Sequence, residues 1–221
     1  FFYYLREIDN VLKEKRAFIY LWSDFNYKLF MNNSISKNGI CKSNIPWSFY
    51  KRKIKAKKHI IGFVGDARKA RGFHHLPKII RILEKKKYFF RYLIQFSKIS
   101  DDLFDTRNEL YNLSKYNKNI TIIEKYCDYK EFRNILKRID IMPIIHSSKE
   151  INKVTSGTMY SCTSNEIPLV IPNGTLFMNK VLKYKSFEKA KNLPEFADKL
   201  IKISKNYNYY LNNVKKNSSI L

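Results

Sequence analysis

The segment from Ile60 to Phe73 constrains the fold of this chain more than any other, because it combines a buried strand, a glycine turn and the start of a helix. Gly65 ends the apolar run and Gly72 precedes the helix, with Arg68 and Arg71 between the two glycines. Backbone N–H groups at such a turn and guanidinium groups three residues apart can converge on one anion. The spacing therefore indicates a phosphate or diphosphate site, and an ordinary strand-to-helix turn with surface arginines is an equal alternative. The pattern is neither the three-glycine dinucleotide fingerprint nor a P-loop.

Short β-rich runs alternate with helical stretches from Ile60 onward. Apolar runs predict strands at His59–Val64, Tyr88–Phe96, Asn119–Ile123, Ile139–Ile145 and Ile167–Ile171. Apolar residues at helical spacing predict helices between these strands. The alternation predicts an α/β fold with a Rossmann-like parallel sheet and helices on both faces. Ligands of such sheets bind beyond the carboxyl ends of the strands, so the Gly65–Gly72 turn, the loop after Ile145 and the segment around Gly157 are expected to lie near one another.

The chain is predicted to contain four regions. Residues 1–50 are expected to be the end of a preceding, truncated domain, because their predicted elements are too few to close a core. A basic linker over 51–58 leads to the main domain over 59–205. Residues 206–221 are expected to be a C-terminal tail, with the final helix spanning Pro194–Leu211 and the residues from Lys215 onward fraying. The opening at Phe1, with no signal-peptide pattern, indicates a fragment or a processed chain.

The net charge of +24 has two explanations. Attraction to polyanions is one, and enrichment of lysine at surface positions throughout the chain is the other. Because the lysines are spread along the sequence, the second is favoured. The densest cluster, 51–58, is a candidate for contact with an anionic membrane surface.

No apolar run reaches the ~20 residues that span a bilayer, and the three cysteines match neither a zinc spacing nor a disulfide framework. A cytoplasmic location is therefore expected, either free or peripheral to the inner face of the membrane.

A second group of small residues, Ser156-Gly157-Thr158, stands at a predicted helix start and precedes the strand Ile167–Ile171. Hydroxyl groups and free N–H groups at a helix start can hold a phosphate. A plain N-cap would use the same residues.

In their order and spacing, these features resemble the C-terminal, donor-binding domain of GT-B type glycosyltransferases, notably the retaining group that uses nucleotide-sugar donors. The matching features are the Gly65 turn with Arg68-x-x-Arg71-Gly72, the strand Ile139–Pro143, the helix start at Ser156, the strand Ile167–Val170 and the closing segment Ser186–Ala190. The resemblance covers residues 57–205. Residues 1–50 look like the last part of the N-terminal, acceptor-binding domain of that family.

The resemblance implies the donor-binding half of an enzyme that transfers a sugar from a nucleotide diphosphate sugar to an acceptor hydroxyl on a glycan, lipid-linked or protein acceptor. It implies no cofactor and no metal, because arginines would neutralise the donor diphosphate. Arg68, Arg71 and Glu150 would be the catalytic residues, and His146 would lie near the sugar. The donor-binding residues would be Gly65, Ser156, Gly157, Thr158 and Ser161.

The chain departs from the family at two positions. Ser161 stands where many retaining members carry a glutamate that contacts the donor ribose, and Glu166 replaces a usual glycine. Glu150 is only the nearest acid to the position of an earlier family glutamate. A catalytically degenerate partner subunit is therefore one alternative. A basic nucleic-acid-binding α/β module is another, although nucleic acid is an unlikely partner because no recognised nucleic-acid-binding signature is present.

Overall fold

The computed structural model of the chain describes residues 12–13, 19–21, 31–32, 40–42, 59–146, 156–175 and 182–219. The chain divides into two compact units, Phe1–Pro46 and Trp47–Leu221. In the first unit, strands β1 (Ile19–Leu21) and β2 (Ile40–Lys42) pair in parallel. The predicted basic linker 51–58 lies outside the described residues.

The second unit contains a parallel sheet built from two three-stranded parts. The strands are β3 (Ile60–Val64), β4 (Arg91–Phe96), β5 (Ile120–Glu124), β6 (Met142–Pro143), β7 (Leu169–Pro172) and β8 (Phe187–Ala190). A parallel bridge between Ile61 and Ile141 and a 3.0 Å hydrogen bond from the Gly62 N–H to the Ile141 carbonyl join the two parts. The described strands therefore follow the order β5-β4-β3-β6-β7-β8.

Helices connect the strands and cover the sheet. Their bounds are α1 (Leu76–Lys85), α2 (Phe104–Tyr116), α3 (Tyr129–Leu136), α4 (Gly157–Ser164), α5 (Leu193–Lys205) and α6 (Tyr207–Ser218). In α1 the buried residues Leu76, Ile79, Ile80 and Leu83 fall on one face, as the helical spacing predicts. Side chains cap three of the helices at their N-termini: Asp128 in a capping box at α3, Ser156 at α4 and Asn192 at α5.

The buried apolar residues form two clusters, one on each face of the sheet. Ile61 and Phe63 of β3 belong to the cluster that includes α1, α2, α5 and α6. Val64 belongs to the other cluster, which includes α3 and α4. This alternation follows from the two-residue period of a strand. The predicted α/β fold, a parallel sheet with helices on both faces, is confirmed.

The structure differs from the sequence prediction at the carboxyl end of the chain. Instead of one helix to Leu211 and a fraying tail, α5 ends at Lys205 and α6 continues to Ser218. The predicted tail 206–221 is therefore mostly a packed helix, because Leu211 and Val214 extend its apolar stripe into the core. Strand β8 was not among the predicted strands.

Asn217 holds the end of α6 against the segment before β8. Its Oδ1 accepts from the Tyr184 N–H at 2.9 Å, and its Nδ2 donates to the Tyr184 carbonyl at 2.7 Å and to Ser186 Oγ at 2.9 Å. The side chain of Asn217 is fully buried. The side-chain amide of Asn217 thus bonds both backbone groups of Tyr184, as the backbone of a neighbouring strand would.

Nearby, the buried carboxylate of Glu188 accepts from Tyr210 Oη at 2.5 Å and from Lys202 Nζ at 2.9 Å. Glu188 gives the segment of β8 a polar residue that does not predict a buried strand. The carboxylate can be buried because Lys202 of α5 and Tyr210 of α6 donate to it. This explains why the strand was missed.

Replacing Asn217 by alanine should lower the free energy of unfolding by about 1–3 kcal/mol, because buried backbone groups of Tyr184 lose their partner. Urea unfolding of the variant measures the loss. Asn212→Ala, at an exposed position of the same helix, is the matched control and should change the stability little. Equal stabilities of the two variants would contradict the role given to Asn217.

Among the described residues, no helix combines the length and the apolar character needed to cross a membrane.

Candidate functional site

The strand order places a crevice between β3 and β6. From β3 the chain moves towards β4 and β5, and from β6 it moves the other way, towards β7 and β8. At such a switch point the loops diverge beyond the carboxyl ends of the strands and leave room for a ligand. A small cleft with a volume of about 10 Å³, partly open to solvent, lies at this position. Its walls are Phe63, Val64, Met142, Pro143, Ile144 and Ile145, and its polar lining residues are Arg71, His146 and Thr158.

Arg71 is the predicted site residue that the structure places most clearly in the crevice. Its guanidinium lies against Gly65, where a Cβ would collide with Nη1 of Arg71. The backbone φ of Gly65 is +111°, a conformation that favours glycine. The guanidinium of Arg71 makes no ion pair or hydrogen bond with any described residue. A half-buried cation that has no partner among the described residues therefore lines the crevice.

Gly72 sets the distance between the arginine turn and the loop after β6. Its φ is +73°, and a Cβ would collide with the carbonyl oxygen of Ile145. Because no side chain separates the two backbones, the turn lies directly against the loop that carries His146. This contact brings Arg71 and His146, from distant parts of the sequence, to the same crevice.

Arg68 behaves differently from Arg71. Its side chain is 60% exposed and forms an ion pair with Asp66 at 2.7 Å. Asp66 is also held by Ser97, whose Oγ donates to Oδ1 at 3.0 Å. Arg68 is not among the residues that line the crevice. The structure therefore places Arg71 but not Arg68 at the crevice, and Arg68 has its own carboxylate partner.

The helix start at Ser156 brings Thr158 to the crevice. The buried Ser156 is an N-cap, with Oγ accepting from the Met159 N–H at 3.4 Å. Gly157 is exposed and has open space where a Cβ would stand. Thr158 lines the crevice. The first N–H groups of a helix have no intrahelical acceptor, so this end of α4 presents donors beside Thr158.

Two other predicted residues have structural partners. The N–H of Gly65 donates to Gln95 Oε1 at 3.1 Å. Ser161 lies one turn into α4, where its carbonyl accepts from Asn165 Nδ2 at 2.7 Å, and it does not line the crevice. Glu150 lies outside the described residues. Gln95 escaped the sequence analysis, because a single glutamine near the end of a strand carries no pattern.

His146 is held as a neutral imidazole. Burial, and secondly the positive charge of Arg71, lower its pKa to about 4. A neutral imidazole can still donate one N–H to a ligand. Within the described residues, no group of three or more His, Cys, Asp or Glu side chains is placed to hold a metal ion. Among the described residues, the polar lining of the crevice thus consists of the Arg71 cation and the uncharged groups of His146 and Thr158, an arrangement suited to an anion.

No protein-family model and no curated protein sequence matches this chain. Solved structures resemble it at low sequence identity. The C-terminal domain of LpcC, a glycosyl transferase group 1 family protein from Francisella tularensis, gives a TM-score of 0.59 at 14% identity, over 73% of this chain and 83% of that chain.

Two longer proteins are also similar. Sucrose-phosphate synthase from Thermosynechococcus elongatus gives a TM-score of 0.63 at 10% identity, over 98% of this chain and 57% of that one. A TarM mutant from S. aureus, in complex with fondaparinux, alpha-GlcNAc-glycerol and UDP, gives 0.62 at 12% identity, over 97% of this chain and 42% of that one. This chain thus spans between two fifths and three fifths of these longer proteins. The fold is that of a GT-B glycosyltransferase C-terminal domain, as the sequence predicts.

Gly72→Ala should destabilise the domain by about 1–3 kcal/mol, because the new Cβ meets the Ile145 backbone and the left-handed conformation strains alanine. Gly157→Ala is the control: it adds the same atom in open space at the first position of a helix, where alanine is tolerated or preferred. Thermal or urea unfolding compares the two. The structure would be contradicted if Gly72→Ala were as stable as Gly157→Ala.

The imidazole of His146 should remain neutral in the folded protein down to about pH 5, since its pKa is lowered to about 4 from the ordinary 6.5. NMR titration measures this directly, and the same residue in urea should titrate near 6.5. Because the folded pKa lies below the unfolded one, the free energy of unfolding should decline as pH falls from about 6.5 to about 4. His146→Gln should remove that part of the decline. A folded pKa near 6.5 would contradict the burial of the ring beside Arg71.

Proposed function

We propose that this chain is the donor-binding half of a glycosyltransferase, which transfers a sugar from a nucleotide diphosphate sugar to an acceptor hydroxyl. The observation that carries the proposal is the meeting of Arg71, which has no ion pair with a described residue, and Thr158 in the N-terminal turn of α4 at one switch-point crevice. Positive charge and helix N-terminal N–H groups at one cleft suit a diphosphate.

Each group would contribute to the departure of the nucleotide diphosphate. The Arg71 guanidinium would neutralise the negative charge that develops on the leaving group as the bond to the sugar breaks. Thr158 and the N–H groups beside Gly157 would hold phosphate oxygens from the other side. His146, neutral at pH 7, would donate a hydrogen bond without adding charge. The apolar walls of the crevice would exclude water and strengthen these interactions.

The similar structures support this class of reaction. One is a TarM mutant in complex with UDP and alpha-GlcNAc-glycerol, which are a nucleotide diphosphate and a glycosylated hydroxyl compound. We therefore infer a nucleotide-sugar donor and a glycan, lipid-linked or protein acceptor for this chain. Because the chain spans only part of the longer proteins, much of an acceptor site would come from a further α/β domain.

The two alternatives from the sequence are less well supported. A basic nucleic-acid-binding module is not favoured by this fold, whose polar residues converge on a crevice rather than on a continuous surface groove. A degenerate partner subunit would keep the fold but would no longer bind the nucleotide-sugar donor. A measurement of nucleotide binding therefore distinguishes such a subunit from an enzyme.

Calorimetry against UDP, GDP and ADP tests the proposal, with binding of at least one nucleotide diphosphate expected. Arg71→Ala should weaken that binding by about 1–3 kcal/mol through loss of a charge-assisted contact. Arg91→Ala removes the same charge from an exposed position at the amino end of β4, and should leave the affinity unchanged at moderate salt. Arg68→Ala should cost less than Arg71→Ala, because Arg68 would first have to leave Asp66.

The absence of heat with all three nucleotides at low salt would count against a donor site. Equal losses from Arg71→Ala and Arg91→Ala would show attraction to the net charge alone, and would remove Arg71 from its proposed role.

A further inference from the structure

At the carboxyl edge of the sheet, where the crevice lies, three cations have carboxylate partners: Arg68 with Asp66 at 2.7 Å, Lys69 with Asp102 at 2.8 Å and Lys125 with Glu131 at 2.5 Å. Arg71 at the same edge has no ion-pair partner among the described residues. At the amino edge, four exposed cations make no ion pair with a described residue. These are Lys85, Lys87, Arg91 and Lys118.

Backbone and side-chain contacts bring these four residues to one place. Lys85 ends α1, Lys87 follows it and Arg91 begins β4. Lys118 stands in the turn before β5, next to Asn117, whose Nδ2 donates to Glu84 Oε1 at 2.6 Å. That bond ties the turn to the end of α1. The acids at this edge are already engaged, Glu84 by Asn117 and Asp198 by Lys86 at 2.7 Å.

Lys87 occupies a backbone conformation that favours glycine. Its φ is +60°. The N–H of Lys87 donates to the Glu84 carbonyl at 2.8 Å and that of Tyr88 donates to the Leu83 carbonyl at 2.9 Å, which is the Schellman arrangement at the end of a helix. Glycine is the usual residue at this position. A strained lysine at an exposed helix end is the kind of outlier from which a function can be inferred.

Phe89 lies among these cations and is 57% exposed. Its neighbours Tyr88 and Phe90 pack inward against the core. Lys205 adds a further positive charge, with its Nζ 5.5 Å from the centre of the Tyr88 ring. An apolar ring is thus displayed in the middle of a cationic surface, which we name the basic edge: Lys85, Lys87, Phe89, Arg91 and Lys118.

We propose that the basic edge docks this domain on an anionic lipid bilayer, with Phe89 entering the interface and the four cations facing lipid phosphates. Clustered lysines and arginines are attracted to an anionic leaflet, and an aromatic ring among them adds apolar burial. The docked edge is opposite to the crevice, so a bound membrane would leave the crevice open. A bilayer explains an exposed phenylalanine better than a DNA duplex does, because contacts with duplex phosphates require only the cations.

Sedimentation of the full chain with vesicles tests this proposal. Vesicles of phosphatidylcholine mixed with phosphatidylglycerol should bind the protein, vesicles of phosphatidylcholine alone should bind it far less, and salt should weaken the binding.

Lys87→Gly should lower the partition coefficient about fivefold, the contribution of one basic residue near an anionic surface. Its melting temperature should be unchanged or higher, because glycine suits the left-handed conformation. Phe89→Ser should lower the partition coefficient by about fivefold or more through lost apolar burial.

Two variants control for net charge and for exposed aromatic area. Lys130→Ala removes a lysine from an exposed position in α3, and Phe104→Ser removes a phenylalanine that is 46% exposed at the start of α2. Both should bind vesicles as the unmodified chain does. Equal losses from the control and basic-edge variants would overturn the proposal. The proposal would also be overturned if a DNA duplex displaced the vesicles and bound the Phe89→Ser variant as tightly as it binds the unmodified chain. Nucleotide binding should be unaffected by Lys87→Gly, so this proposal and the donor site can fail independently.

Discussion

The contact between Gly72 and the backbone of Ile145 is the constraint on which the rest of the site depends. It presses the arginine turn after β3 against the loop after β6, across the point where the sheet reverses its strand order. With a side chain at position 72 the two segments would separate, and Arg71 would no longer share a crevice with His146. The absence of one Cβ therefore determines the geometry of the polar groups.

That geometry has an electrostatic consequence. Arg71 is near enough to His146 to help keep the imidazole neutral, and it has no carboxylate of its own among the described residues. No described residue thus compensates the positive charge that Arg71 brings to the crevice. An anion would supply the missing partner, and the open end of α4 gives that anion a second set of donors. Burying or half-burying an unpaired cation costs stability, which is a reason to expect that a ligand completes the site.

The two edges of the sheet divide the domain by chemistry. Loops at the carboxyl edge carry the cleft, Arg71 and three ion pairs, whereas the amino edge carries four cations without an ion pair to any described residue around an exposed aromatic ring. This division cannot be seen in the sequence, where lysines are scattered almost evenly and uniform enrichment was the favoured explanation. Parallel strands bring every strand start to one edge and every strand end to the other, so residues far apart in the sequence, such as Lys87 and Lys118, become neighbours.

The sequence by itself determined the alternation of strands and helices, the parallel sheet and the glycine turn with its arginines, because these depend on local apolar periodicity and on glycine conformation. It could not distinguish Arg68 from Arg71, since only the folded chain brings Asp66 to one of them and Gly65 to the other. Strand β8 and the packed end of α6 were also decided by tertiary structure, because partners more than twenty residues away satisfy Glu188 and Asn217. Local patterns specify elements, whereas the pairing of buried polar groups depends on contacts that only the complete fold creates.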